Sequence, residues 1–270
     1  AEIIQKRWST YFGYPGCAMT APHHMANVPI ALGLDLLLNL VGADRVNIRP
    51  ESIQKKLGAL GEPMFIGLFV GLLFGIIGNF NSLGTLEAWG NITQVGIMTS
   101  AVMAIYPRIA SIFAGAFTAL TDASKKTVKG VSKERTWYLA VNDALGYGDP
   151  AALTSGLLMI PIAIILSFIV PGNLVVPMMG LLCFPYLCEV HVCINNGNIF
   201  KTVIAMSIMY AVMLLIASAN APLYTEVATA AGIQVPETAV MVTGFIGATI
   251  FLNLLYQIFL SRNPIAIALS

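Results

Sequence analysis

The chain has 270 residues, 57% of them hydrophobic and 10% charged, with 14 Lys and Arg against 13 Asp and Glu for a net charge of +1. A soluble domain carries about 25% charged residues, so this one lacks the polar surface to meet water on all sides, and its near-neutral balance excludes a nucleic-acid-binding module. The charges are also segregated: residues 64–86, 88–107, 150–188, 202–225 and 238–261 hold no Asp, Glu, Lys or Arg, each stretch long enough for a transmembrane helix of ~20 residues.

The chain opens at Ala1, which suggests that upstream residues are missing, and Lys6, Arg7 and Trp8 lead into Gly- and Pro-rich chain unlike a cleavable signal peptide. Residues 9–42 hold Gly13, Pro15, Gly16, Pro22 and Pro29, then an apolar run from Val28 to Val41. Both flanks are basic, Lys6/Arg7 and Arg45/Arg49, so both belong on one side. A segment that enters and leaves by one face is a re-entrant hairpin, whose irregular backbone survives at membrane depth only against protein or a watery cavity.

Segment 43–61 carries Arg45, Arg49, Lys55 and Lys56, and a crossing is expected near 64–80. The next loop, near 80–87, has no Lys or Arg; a crossing near 88–106 leads to the basic segment 108–138. Residues 139–150 mix glycines with carboxylates and read as a loop entering the membrane's edge. Further crossings are expected near 151–170, 176–194, 202–220 and 239–260, separated by Pro171-Gly172-Asn173 without a basic residue, by Lys201, and by 221–238, again without one. Basic and non-basic loops alternate without a break, which places the Lys- and Arg-bearing loops in the cytoplasm. The fold class is therefore an all-α polytopic membrane protein with about six transmembrane helices plus re-entrant hairpin segments. It divides into 1–62 (cytoplasmic approach and re-entrant segment), 63–138 (two helices with a basic cytoplasmic loop) and 139–270 (membrane-entering loop and four helices).

Gly61-Glu62-Pro63 and Gly148-Asp149-Pro150 open two of the crossings alike. Pro is tolerated in a first helical turn, and an acid beside it sits at the positive end of the helix dipole. These are either ordinary caps or solute-facing helix ends. Pro161, Pro177 and Pro185 predict kinked helices. The cysteines Cys17, Cys183, Cys188 and Cys193 match neither a disulfide framework nor a zinc spacing, and no metal or cofactor is expected.

Ionisable groups within a bilayer are costly and face a cavity or a partner. Those here are His23, His24, Asp35, Glu62, Asp143, Asp149, Glu189 and His191. Asp35 and Asn39 share a helical face at i, i+4. Glu189 and His191, two apart, point to different sides of a helix and read as an interfacial cluster with Asn195-Asn196-Gly197-Asn198. No nucleophile elbow, phosphate loop or metal constellation is present. Carboxylates, imidazoles and amides spread over several membrane segments suit a neutral polyhydroxyl solute, whose every hydroxyl needs a donor and an acceptor. The candidate substrate-binding residues are His23, His24, Asp35, Glu62, Asn142, Asp143, Asp149 and His191. An ion-coupled secondary transporter, with Glu62 and Asp149 as ion sites, is the alternative; an intramembrane enzyme lacks a catalytic constellation.

Pro22-His23, Pro29-Ile30-Ala31, Asp35, Ile53-Gln54-Lys55-Lys56 and Gly61-Glu62-Pro63 resemble the galactitol-type enzyme IIC permeases of the bacterial phosphotransferase system. So do Pro107-Arg108, Asp143, Pro171-Gly172-Asn173 and Gly197-Asn198-Ile199-Phe200-Lys201-Thr202. Where members carry an imidazole just before the Gly-Asn pair, this chain has Asn195-Asn196. The resemblance covers the C-terminal part of a typical member, so the early helices are expected to be truncated or supplied by another polypeptide. It implies a homodimer in the bacterial inner membrane, each protomer with a scaffold domain and a mobile transport domain. It further implies a sugar or polyol substrate such as galactitol, phosphorylated as it enters by a cysteine-phosphorylated enzyme IIB that is supplied in turn by enzyme IIA. His23, Asp35, Glu62 and Asp143 carry over by resemblance; Asn142 and Asp149 rest on the residues alone.

Overall fold

Prolines 22, 50, 63, 150 and 185 each stand in the first turn of a helix, where a missing N–H has no intrahelical bond to lose. The computed structural model describes every residue except 1, 20, 129–137, 142–145, 147, 177–182, 235–239, 244–249 and 261–270. Its elements run α1 (Glu2–Tyr11), β1 (Cys17–Met19), α2 (Pro22–Leu40), α3 (Pro50–Leu57), α4 (Pro63–Gly78), α5 (Leu86–Val128), β2 (Leu139–Val141), α6 (Pro150–Ile169), α7 (Phe184–Ile194), α8 (Ile199–Ala230) and α9 (Ile250–Leu260). The protein is all-α apart from β1 and β2, which pair in parallel with Cys17 opposite Leu139 and Met19 opposite Val141. That pair replaces the first residues of the loop expected over 139–150. Three residues are too few for a period-two pattern to show, and the partner strand lies far off in the chain.

Among the described residues three helices are long and apolar enough to cross a membrane, α5, α6 and α8, or four if α4 joins the bent segment before it. The chain is an integral membrane protein. The expected crossings at 64–80, 88–106, 151–170 and 202–220 coincide with α4, α5, α6 and α8. Within 176–194 and 239–260 the described helices are α7 and α9, 11 residues each and so about 16 Å long, while 177–182, 239 and 244–249 lie outside the described residues. α5 runs through Pro107 to Val128, so much of the basic segment 108–138 is helix instead of loop. Pro185 opens α7 and does not kink it; Pro177 lies outside the described residues.

Segment Pro50–Gly61, comprising α3 and a 3-10 turn, meets α4 at 76°. α4 in turn lies close along α5, because Gly67, Gly71 and Gly75 share one face. A Cβ on them would come within 2.6 Å of Met103 Cγ, 2.8 Å of Thr99 Cβ and 2.7 Å of Ile92 Cα, so only glycine permits this approach. The interior is elsewhere, in two clusters. One joins α6, α7 and α8 around Met159, Phe184, Met206 and Tyr210. The other joins α1, β1, α2 and α7 around Trp8, Tyr14, Val28 and Val190. α7 belongs to both.

Candidate functional site

The C-terminus of α7 is fixed by a tight turn. Gly197 N–H donates to Val192 O at 2.9 Å and Asn196 N–H to Cys193 O at 3.3 Å. Asn196 stands at φ 51°, the left-handed stop of a Schellman motif. The Arg7 guanidinium donates to Ile194 O, which adds a cation where the helix dipole is negative. Tyr11, one turn on from Arg7, is pressed against Gly197, where a Cβ would lie 2.7 Å from Tyr11 Oη. That hydroxyl donates to Asp149 Oδ1 at 3.5 Å, and the same carboxylate oxygen caps α6 by accepting from Ala152 N–H at 2.8 Å. Burial pushes the Asp149 carboxyl up to about 6, against the opposing pull of the Ala152 and Ala151 amides and of Tyr11, with Glu51 adding to the rise.

Higher on α7 the polar groups are fully enclosed. His24, Asn27, Glu189 and His191 are each no more than 1% exposed. The His24 ring meets that of Tyr186 at 4.2 Å and lies within electrostatic reach of His191. Glu189 and His191 face different sides, as their spacing requires. A Cβ on Gly146 would overlap the Glu189 carboxyl, whereas His191 Nε2 sits 3.4 Å from Met209 Sδ on α8. Glu189 also interacts electrostatically with Tyr14. Asn27 Oδ1, Ser155 Oγ and His191 Nδ1 are buried and make no hydrogen bond among the described residues, a condition that costs about 1–3 kcal/mol per group unless something answers it. The first turns of α2 and the segment leading into α6 thus set buried polar groups against two different sides of α7 inside an apolar bundle.

A family model described as the sugar-specific permease component of the PTS system matches residues 1–239. The chain belongs to this family. The chain is 29% identical over 233 residues to the "Putative permease IIC component" of Escherichia coli strain K12, covering 86% of this chain and 52% of that protein. It is 28% identical over 205 residues to the PTS system galactitol-specific EIIC component of the same strain, covering 76% and 44% respectively, and the galactitol-specific component of Escherichia coli O157:H7 matches equally. The chain therefore spans about half the length of the curated relatives it matches. No solved structure matches it.

Of the residues singled out in the sequence, His24 of α2 lies within electrostatic reach of His191 of α7, whereas Asp149 is held by Tyr11 near the C-terminal end of α7. Asp35 does not join them. It lies three turns along α2 from His24, where Lys201 Nζ of α8 donates to Asp35 Oδ1 at 2.5 Å and to Asn39 Oδ1 at 2.7 Å. Glu62 stands half-buried at the bend between the α3 segment and α4, and its side chain does not cap α4. His23 falls in the first turn of α2, but its side chain, with Asn142 and Asp143, lies outside the described residues. Glu189, read from the sequence as interfacial, is enclosed, because Gly146 and Tyr14, remote in the chain, cover it. Its one sequence signal is position: Leu187-Cys188 precedes it and Val190 follows. Tyr11 had no such signal, and Lys201, read from the sequence as a basic loop residue, is buried in the first turn of α8. Among the described residues no cluster of His, Cys, Asp or Glu is placed to hold a metal ion.

Proposed function

We propose that this permease carries a neutral sugar alcohol, galactitol or a close relative, inward across the bacterial inner membrane, and that enzyme IIB phosphorylates the solute at the inner face. Enzyme IIA recharges enzyme IIB. The observation that carries this reading is the polar region around α7. Carboxylate, imidazole and amide groups are gathered around α7, which is the equipment for holding hydroxyls. The name of the galactitol-specific relatives supports the choice of solute. The solute site in this reading is built on His24, Asp149 and His191, with Glu189 added and with His23, Asn142 and Asp143 on the segments leading into it. Asp35, engaged by Lys201, and Glu62, at the α3–α4 bend, belong to the frame. The segments containing β1 and β2 are the re-entrant elements of a mobile domain, and two protomers form the working unit. Phosphorylation makes transport one-way, because adding nearly two negative charges renders return through a site for neutral solutes expensive.

The test is uptake into vesicles containing the permease. Labelled galactitol should accumulate as its phosphate ester only when enzyme IIB and a phospho-donor are supplied. His24→Ala and Glu189→Gln should each lower uptake roughly tenfold or more, the loss expected for one hydrogen bond to a charged or polar partner, while insertion is unchanged. Accumulation of free galactitol driven by a proton or sodium gradient would instead support the ion-coupled alternative.

A further inference from the structure

The segment before α4 is built as an amphipathic strip. Ile53 and Leu57, at i and i+4, share one face of α3, and with Ile48, Phe69 of α4, Leu158 of α6 and Val203 of α8 they line a groove of about 580 Å³. Among all its lining residues only Thr154 is polar. The volume falls within the range of ligand pockets, roughly 300–1,000 Å³. Leu57 and Phe69 are more than half exposed along it, so the groove opens sideways from the bundle.

Charge is distributed unevenly around that strip. Glu51 and Lys55 lie at i, i+4 on the face of α3 opposite Ile53 and offset each other. Arg49 and Lys56 fall beside the apolar face, one turn apart from Ile53 on either side in sequence. Arg49 Nε is buried without a hydrogen-bond partner among the described residues, although the chain beside it is firmly held. Asn198 donates to Val46 O at 2.9 Å, and Ile199 N–H donates to Ile48 O at 2.8 Å. The groove lies at the N-terminal ends of α4, α6 and α8, and the alternation of basic loops puts those ends at the cytoplasmic leaflet. The 76° bend sets α3 across the axis of α4, as suits an interfacial helix with basic flanks.

We propose that this groove binds an anionic glycerophospholipid of the inner leaflet, its acyl chain along Ile53, Leu57 and Phe69 and its phosphate against Arg49 and Lys56. The anionic headgroup complements the two positive charges of Arg49 and Lys56 beside the apolar face, and the chain covers apolar surface that a soluble ligand would leave wet. The proposal rests on the membrane orientation of the chain and not on the identity of its solute.

The experiment is native mass spectrometry of the delipidated protein titrated with dioleoyl phosphatidylglycerol or dioleoyl phosphatidylcholine. One Lys or Arg near an anionic headgroup favours binding about fivefold, so the wild type should prefer phosphatidylglycerol by roughly 25-fold. Arg49→Gln/Lys56→Gln should bind the two lipids equally, and Lys56→Gln alone should lower the preference about fivefold, which keeps the test intact if the double variant fails to fold. Lys55→Gln, on the opposite face, should retain the full preference. Val203→Trp, which fills the groove, should lose tight binding of both lipids. Equal binding by the wild type, a preference that survives Arg49→Gln/Lys56→Gln, a Lys55→Gln loss as large as that of Lys56→Gln, or a second copy of the chain excluding lipid would each overturn the proposal. None of these outcomes depends on galactitol transport, so the two readings fail separately.

Discussion

Asp149 is pulled in two directions: its carboxylate caps α6 through Ala152 N–H, yet burial raises its pKa from 3.8 to about 6. A carboxyl whose folded pKa is raised binds its proton more readily in the fold than in the unfolded chain. Stability should therefore be highest below the ordinary carboxylate range and fall as pH climbs from about 4 through about 6. Asn caps a helix as well as Asp and does not ionise. Thermal melts of purified protein at pH 5 and pH 7.5 should show the wild type losing stability on going to the higher pH, and Asp149→Asn losing markedly less. Equal pH slopes for the two proteins would count against the enclosed carboxyl. In the sequence Asp149 is visible as an acid before a proline, and its cap is the outcome of that local pattern. Its covering by Tyr11 was not legible, because Tyr11 reaches it only once Arg7 and Gly197 have fixed where α1 meets the end of α7.

At the scale of elements, the long apolar helices were legible because charge-free stretches of about 20 residues are a local property. The ends and pairings of the shorter elements were not. α5 continues through Pro107, and β1 finds β2 across nearly half of the chain. The i, i+4 pairing of Asp35 with Asn39 was visible on α2, but its partner Lys201 sits on α8 and is nearly buried, with its side chain 7% exposed. Together the three side chains tie α2 to the start of α8. Removing one partner of a buried ion pair costs about 3–5 kcal/mol, whereas replacing both by apolar groups is often neutral. Lys201→Met should therefore lower the melting temperature substantially, and Asp35→Leu/Lys201→Met should recover most of the loss. A double variant no more stable than Lys201→Met alone would show that the pair does not act as a unit. Because Lys201 already holds Asp35, we propose that Asp35 serves as an anchor between helices in place of the solute ligand expected from the sequence.

For the molecule as a whole, the alternation of basic and non-basic segments predicts which end of each long helix faces the cytoplasm, and the bend before α4 is where that expectation is most exposed to test. Segment Pro50–Gly61 with α4 is either one broken span or a re-entrant loop by shape alone. α4 is 16 residues, about 24 Å, and Gly67, Gly71 and Gly75 hold it along α5, whose apolar window Leu86–Phe117 is long enough to cross. If α4 crosses with the helix it lies along, the bent pair is a broken span and the count of crossings among the described residues rises to four. The short exposed turn Phe80–Ser82 between them must then lie outside, and Lys55 inside. Cys17, Cys188 and Cys193 are buried and Cys183 is half-buried, so thiols introduced at the surface are read in a Cys183→Ser background. With an impermeant maleimide, Ser82→Cys should be labelled in right-side-out vesicles and protected in inverted ones, and Lys55→Cys should show the reverse. Labelling of both positions from the same side would make the bent pair a re-entrant loop, invert the remaining topology with it, and remove the cytoplasmic placement on which both the phosphorylation step and the lipid groove depend.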